Sequence, residues 1–185
     1  MDLRIQRTKS SIKSAFLELR QKKPIEKITV TEMTKLANIN KATFYLHYSD
    51  IYQLSEEIED SILSEILMEL DVVDKFFENP QEYANKIFSA FVAHRAQLDL
   101  VFSGSRRSLL SDKLEMRIKE SLFANFPDFY SRENSVILSF CIQGIFHTIK
   151  TGAQLGDMQE DYDVLSHLTS MVISEIKKPE TTTEE

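Results

Sequence analysis

Apolar residues recur along this chain at the spacing of a helix. Ile5, Ile12, Ala15, Phe16 and Leu19 share one face and predict an amphipathic helix over residues 4–21. Lys22-Lys23-Pro24 ends it, because the residue before a proline is pushed out of the α region. Thr29-Val30-Thr31-Glu32 has the spacing of a capping box, in which a Thr hydroxyl and a Glu carboxylate satisfy the open amides of a helix start. A short second helix carries Val30, Met33, Leu36 and Ala37. Asn38-Ile39-Asn40 then reads as a turn: Asn38 tolerates the left-handed conformation, and Asn40 caps a third helix from Lys41 to about Tyr48.

Ser49 reads as the cap of a fourth helix, whose stripe is Ile51, Leu54, Ile58, Ile62, Ile66 and Leu70. Asn79-Pro80 starts another, carrying Tyr83, Ile87, Phe88 and Phe91, and Gly104-Ser105 breaks a segment that ends at Leu98–Phe102. Amphipathic spacing returns over residues 109–123, and a long apolar helix is predicted over residues 131–151. Residues 152–157 read as a loop, and Asp157 with Glu160 as the cap of a last helix to about Lys177. The expected class is all-α. Residues 1–50 form a three-helix head, residues 51–178 a larger helical domain, and residues 179–185 a disordered tail.

Composition agrees with that class. Four glycines and four prolines in 185 residues are too few for the tight turns of an all-β fold. The one cysteine, Cys141, cannot form an intramolecular disulfide, which fits a cytoplasmic protein. The N-terminus has no apolar run of signal-peptide length, and the most apolar stretch, residues 136–146, is too short to span a membrane.

Charge changes the picture more. Residues 1–50 hold ten Lys/Arg against five Asp/Glu, a balance of +5, while the remaining 135 residues hold twelve against 24, a balance of −12. The net −7 thus conceals a basic head on an acidic body, and the head is the part expected to meet a polyanion.

Three short helices, the second and third joined by a three-residue turn, make a helix-turn-helix over residues 29–48. On a wheel of the third helix, Phe44 and Tyr48 face inward while Ala42 and Leu46 point outward, flanked by Lys41 with Tyr45 and by Thr43 with His47. An outward leucine among polar residues makes sense if that face is covered, and in a major groove it can touch thymine methyl groups. Ala42 keeps the helix thin. Lys41 can bond guanine edges or a phosphate, Thr43 can meet a base or a methyl group, and Tyr45 and His47 have the reach for phosphates. The plain alternative is a solvated surface on a small helical domain.

Residues 28–48, and above all Asn40-Lys41-Ala42-Thr43-Phe44-Tyr45-Leu46-His47-Tyr48, resemble the DNA-binding domain of the TetR/AcrR regulators, whose pattern here is Ser-x-small-Thr-aromatic-Tyr-x-His-Phe. The resemblance covers roughly residues 5–55. It implies an all-α homodimer in which the last two helices of each subunit pair as a four-helix bundle. It also implies a body pocket for a small effector that alters the spacing of the two heads. Carried over residue by residue, it makes Thr29, Lys41, Thr43, Tyr45 and His47 DNA contacts, and Thr31, Ala42 and Leu46 complete the expected DNA-binding set. Two departures stand out. Asn38 occupies a usual glycine, and Ile51 stands near a usual phosphate-binding lysine, so that contact is not expected here. Arg4, Arg7 and Lys9 are candidates to compensate.

The body holds ten of the twelve phenylalanines. Each reads first as core, and Phe88, Phe91, Phe102, Phe123 and Phe140 are the candidates for an effector pocket. Val136, Phe140, Ile145, Ile149, Leu165, Leu168 and Val172 exceed what one helical layer buries alone, which marks the last two helices as the dimer surface. No His/Cys pair has metal-ligand spacing, and there is no phosphate-cradling glycine loop or nucleophile elbow, so neither a metal, a cofactor nor an enzyme activity is expected. The function expected is that of a DNA-binding regulator on a palindromic operator, a repressor released by a small molecule. Control by a protein partner without a small-molecule pocket is the alternative.

Overall fold

The computed structural model describes residues 3–69, 75–152 and 158–176. Leu70, the loop at 153–157 with the cap residue Asp157, and the tail at 179–185 lie outside the described residues. Those described are helices and turns, with no strand among them: α1 (Leu3–Lys22), α2 (Val30–Leu36), α3 (Lys41–Tyr45), α4 (Ile51–Glu69), α5 (Lys75–Glu78), α6 (Pro80–Val101), α7 (Leu109–Asn125), α8 (Arg132–Gly152) and α9 (Met158–Glu175). Single 3-10 turns lie at Ile25–Lys27, Gly104–Arg106 and Pro127–Phe129. The chain forms two compact units, residues 1–65 with 95–108, and residues 66–94 with 109–185. The unit around the helix-turn-helix therefore extends beyond residue 50, taking in most of α4 and the end of α6.

In the first unit Ile12, Ala15 and Phe16 of α1 are buried at i, i+3 and i+4, as the wheel requires. With them lie Ile25, Ile28, Met33, Phe44, Tyr48, Leu54, Ile58, Leu98 and Val101. One turn beyond Phe16, Arg20 is only 4% exposed. Its guanidinium donates to the carbonyls of Leu100 and Val101 at 3.0 and 3.1 Å and to Ser103 Oγ at 2.7 Å. These are the open carbonyls at the C-terminus of α6, so a cation of α1 completes a helix end that lacks its own partners.

The next turn is locked by a second arginine. Glu59 of α4 has no solvent exposure, and Arg106 meets it through two parallel bonds, Nε to Oε1 at 2.7 Å and a terminal nitrogen to Oε2 at 2.6 Å. Ser55 donates to the same Oε1 at 2.8 Å. Gly104 makes this turn possible. Its φ is +64°, which a side chain rarely adopts, and a Cβ there would face Glu26 at 3.7 Å. Glu26 in turn accepts from Ser105, and that bond foremost holds its carboxyl below the usual range.

The second unit is knit by aromatic edges. Phe76 meets Tyr83 at 5.1 Å and Phe129 at 5.9 Å, and Phe77 meets Phe126 and Phe129 at 5.0 and 5.1 Å, all T-shaped. Leu122, Leu138, Ile142, Ile173 and Ile176 close this core, and a smaller one holds Phe88, Tyr162 and Leu165. A polar seam joins α7 to α8: Glu115 accepts from Lys119 at 2.7 Å, Ser139 at 2.6 Å and Gln143 at 2.8 Å. Gln81 and Asn85 of α6 both bond Ser166 of α9.

Two element ends differ from expectation. The cap of α4 is Asp50 rather than Ser49: Asp50 Oδ1 accepts from the Gln53 amide at 2.8 Å, while Gln53 Oε1 reaches back to the Ser49 amide at 2.6 Å. The cap is displaced by one residue, because the Asp50 carboxylate takes up the Gln53 amide of the first turn. Helix α3 ends at Tyr45, three residues early, because the His47 amide turns tightly onto the Phe44 carbonyl at 2.9 Å.

Arg106→Leu is expected to cost about 3–5 kcal/mol in urea unfolding, since it strands a buried carboxylate, and the double variant with Glu59→Leu to recover most of that loss. Glu115 yields a pH prediction. Desolvation raises its pKa, but the hydrogen bonds from Lys119, Ser139 and Gln143 outweigh this and hold it at about 2. The depressed folded value means that its stabilisation is complete above the unfolded pKa of about 4.5 and is lost as pH falls from there toward 2. Glu115→Gln is expected to flatten the decline of thermal stability across that window, measured against the parent chain.

Candidate nucleic-acid interface

Helix α3 has five residues, and the local sequence holds both of its ends. The turn before it closes α2 as a Schellman motif. Asn38 sits at φ 54°, its amide bonds Lys35 O at 3.3 Å, and the Ile39 amide bonds Thr34 O at 3.0 Å. Asn40 then caps α3, its Oδ1 accepting from the Thr43 amide at 2.7 Å and from the Thr43 hydroxyl at 2.9 Å. Phe44 is fully buried and Tyr48 is 2% exposed, their ring centroids 5.7 Å apart. They fasten the inner face to the core, which leaves Tyr45 56% and Leu46 81% exposed.

The outward face is the one the wheel describes. Lys41, Ala42, Tyr45 and Leu46 are exposed, and Thr43 and His47 are half-buried. All six lie on α3 or the turn that ends it. Thr29 and Thr31, also exposed, stand at the start of α2. Two of the threonines have committed hydroxyl protons. Thr29 Oγ donates to Glu32 Oε2 at 2.8 Å while accepting from the Glu32 amide at 3.2 Å, completing the expected capping box. Thr43 Oγ donates to Asn40. In this arrangement each hydroxyl can accept from a base amino group but has no proton to donate to a phosphate. Glu32, the one acid of this surface on α2, is held below the usual carboxylate range by hydrogen bonds from Lys23 first and then Thr29.

The basic residues of α1 do not behave alike. Lys9 and Lys13 are both paired with Glu57 of α4, at 2.9 and 3.0 Å, so Lys9 is not an unpaired replacement for the missing lysine near Ile51. Ile51 itself is buried, 7% exposed. Arg4 and Arg7 are exposed on the first turns of α1.

The five phenylalanines expected to line one pocket have different surroundings. Phe102 is a core residue of the first unit. Phe88 and Phe91 belong to the smaller core of the second unit, and Phe123 packs on Phe129 and Tyr130. Phe140 is 77% exposed. Period alone could not separate these, since all five have helical spacing.

The apolar surface of α8 and α9 is also redistributed. Val136, Phe140 and Leu168 are more than half exposed. Leu165 is instead buried against Phe88 and Tyr162, and Ile145 and Val172 pack on the two cores of the second unit. The side chain of Ile149 lies outside the described residues. Val164 and Met171, 54% and 53% exposed, were missed. With Leu168 they fall at i, i+4 and i+7, a spacing present in the sequence but hidden there by the neighbouring core positions.

Among the described residues no helix is long and apolar enough to cross a membrane, and no group of three or more His, Cys, Asp or Glu could hold a metal ion. The single thiol, Cys141, is half-buried, and burial raises its pKa.

No protein-family model matches the chain. It is 28% identical over 102 residues to the uncharacterized HTH-type transcriptional regulator YxbF of Bacillus subtilis (strain 168); the match takes in 55% of this chain and 27% of that protein. The chain thus spans about a quarter of the length of the curated relative it matches, which is named for a non-enzymatic class. Among solved structures it is similar to RolR, determined without ligand, with a TM-score of 0.55 and 18% identity over 92% of this chain and 98% of that one. That likeness extends over nearly the whole of both chains, and what it shows for this one is the all-helical fold.

Proposed function

We propose that the chain is a sequence-specific, DNA-binding transcriptional regulator of the TetR/AcrR type, cytoplasmic and without enzyme activity. The observation that carries this reading is Leu46, 81% exposed on a helix whose opposite side is pinned by fully buried Phe44. A rigid, thin helix that presents an apolar tip between Lys41, Tyr45 and His47 suits a major groove, where the leucine meets thymine methyls and the polar flanks meet base edges and phosphates. The regulator named for its helix-turn-helix that this chain resembles supports the same reading.

The finer reading is a homodimer on a palindromic operator, a repressor released by a small effector. Two recognition helices must stand about 34 Å apart to enter successive major grooves. An effector that binds a differently spaced state better would lower operator affinity. The exposed apolar residues Val136 and Phe140 of α8 and Val164, Leu168 and Met171 of α9 support pairing of that face with a second copy. The dispersal of the five phenylalanines favours a second reading of the control step, in which a protein partner acts on the body.

Selection from a random double-stranded pool, followed by salt titration on the enriched duplex, tests the core of this reading. A two-fold symmetric site is expected, and no enrichment would overturn it. Tyr45→Ala is expected to weaken binding to every duplex. Lys41→Ala is expected to cost about 1–3 kcal/mol on the preferred site and to change which operator is preferred. Phe140→Glu is expected to convert a dimer to a monomer in sedimentation at micromolar concentration, and an unchanged dimer would remove α8 from the interface.

A further inference from the structure

Glu57 stands between two cations on one face of α1. Lys9 Nζ lies 2.9 Å from one of its oxygens and 3.3 Å from the other, and Lys13 Nζ lies 3.0 Å away. The two lysines are four residues apart, so without an acid between them they would repel each other. Lys9 Nζ also lies 5.4 Å from the centroid of the Tyr48 ring. Tyr48 directly follows His47, so this ammonium is held beside the C-terminal end of the candidate reading helix. All three side chains keep about a third of their surface in solvent, at 32%, 31% and 37%. Pairs this exposed add little to folding stability. The arrangement is therefore weak as a staple yet strong as charge control: it turns two mobile cations near the DNA face into a group of net charge +1.

We infer that Glu57 acts as a built-in counter-ion that restrains the head's attraction to the DNA backbone, occupying Lys9 and Lys13 so that they do not bind DNA phosphates. The inference rests on the DNA-binding reading above. Binding to arbitrary DNA is driven almost entirely by the phosphate backbone, whereas operator binding adds base readout by α3. A carboxylate that withholds two backbone cations lowers both by about the same factor, and so leaves base readout by α3 a larger share of the total binding energy. Such restraint suits a head that carries ten Lys/Arg against five acids.

The test uses the full chain and two duplexes, the one enriched from the random pool and a scrambled duplex of equal length. Glu57→Gln frees both lysines without moving the backbone. The dependence of log K on log salt is expected to steepen by about 0.9 for each freed lysine that reaches a phosphate. Low-salt affinity is expected to rise by a similar factor for the scrambled and the enriched duplex. Adding Lys9→Gln and Lys13→Gln to Glu57→Gln is expected to restore the parent slope. Glu57→Met, which keeps the stem packed on α1, is a second replacement with the same expectation should the glutamine variant melt early. An unchanged or shallower slope in the Glu57 variants would mean that the acid only holds α1 to α4, and would overturn the inference. Steepening that survives removal of both lysines would overturn it as well. If the parent chain itself shows no salt-dependent binding to either duplex, the DNA-binding reading is what has failed; if the parent binds and the Glu57 variants do not steepen, only this inference has.

Discussion

A helix of five residues cannot hold itself together in water, and everything proposed for α3 depends on how that is overcome. Nucleation fixes several residues for a single hydrogen bond, so isolated helices shorter than about 12 residues are marginal. Here α3 is held from outside. Asn40 takes up its first amides, the Schellman turn at Asn38 sets the direction of entry, and Phe44 and Tyr48 fasten its inner face to the core of the first unit. The same pins that stabilise the helix leave its outer face with nothing to do structurally. That explains how an 81% exposed leucine is tolerated there, and why the face is free to be read as an interface.

The core that receives Phe44 has its own dependence on buried charge. Arg20 satisfies the carbonyl end of α6, and Arg106 neutralises a Glu59 that has no contact with solvent. Glu59 is not tolerable there without Arg106, because an unpaired buried charge costs several kcal/mol. Together the two arginines bind residues 95–108 to α1 and α4 with bonds of defined direction, which apolar packing cannot supply. Residues 66–94 lie in the second unit, so the chain leaves the first unit and returns to it before leaving again. Helix α6 is therefore shared between the two units.

Electrostatics divides the chain in the same way. The head carries a surplus of cations, but the structure shows that the surplus is not all available, since Glu57 engages Lys9 and Lys13 and Glu32 engages Lys23. Formal charge counted along a sequence overstates what a polyanion would meet. The hydroxyl protons of Thr29 and Thr43 are likewise spent on caps, so these residues can only accept hydrogen bonds. The chemistry of the face is then carried by Lys41, Tyr45, Leu46 and His47.

The short α5 is not legible along the chain, whereas the long helices, the capping box at Thr29 and Glu32, the left-handed Asn38, the cap at Asn40 and the inward pair Phe44 and Tyr48 all are. Each of these is a local matter, decided within about four residues by backbone geometry, hydrogen bonding or helical period. Small slips, such as Asp50 in place of Ser49 as a cap, came from choosing between adjacent residues of similar chemistry. Packing across the fold settles which apolar residues meet: that Phe140 faces outward while Leu165 does not, that Val164 and Met171 join the exposed stripe, and that Phe102 lies in a different unit from Phe88. It also decided the partners of Glu57, Glu59, Arg20 and Arg106, which are 47 to 83 residues apart in their longest bonds. Helical period tells which side of a helix is apolar, but each body helix has neighbours on more than one side. Which neighbour covers which residue is settled by packing across the fold, and no local pattern encodes it.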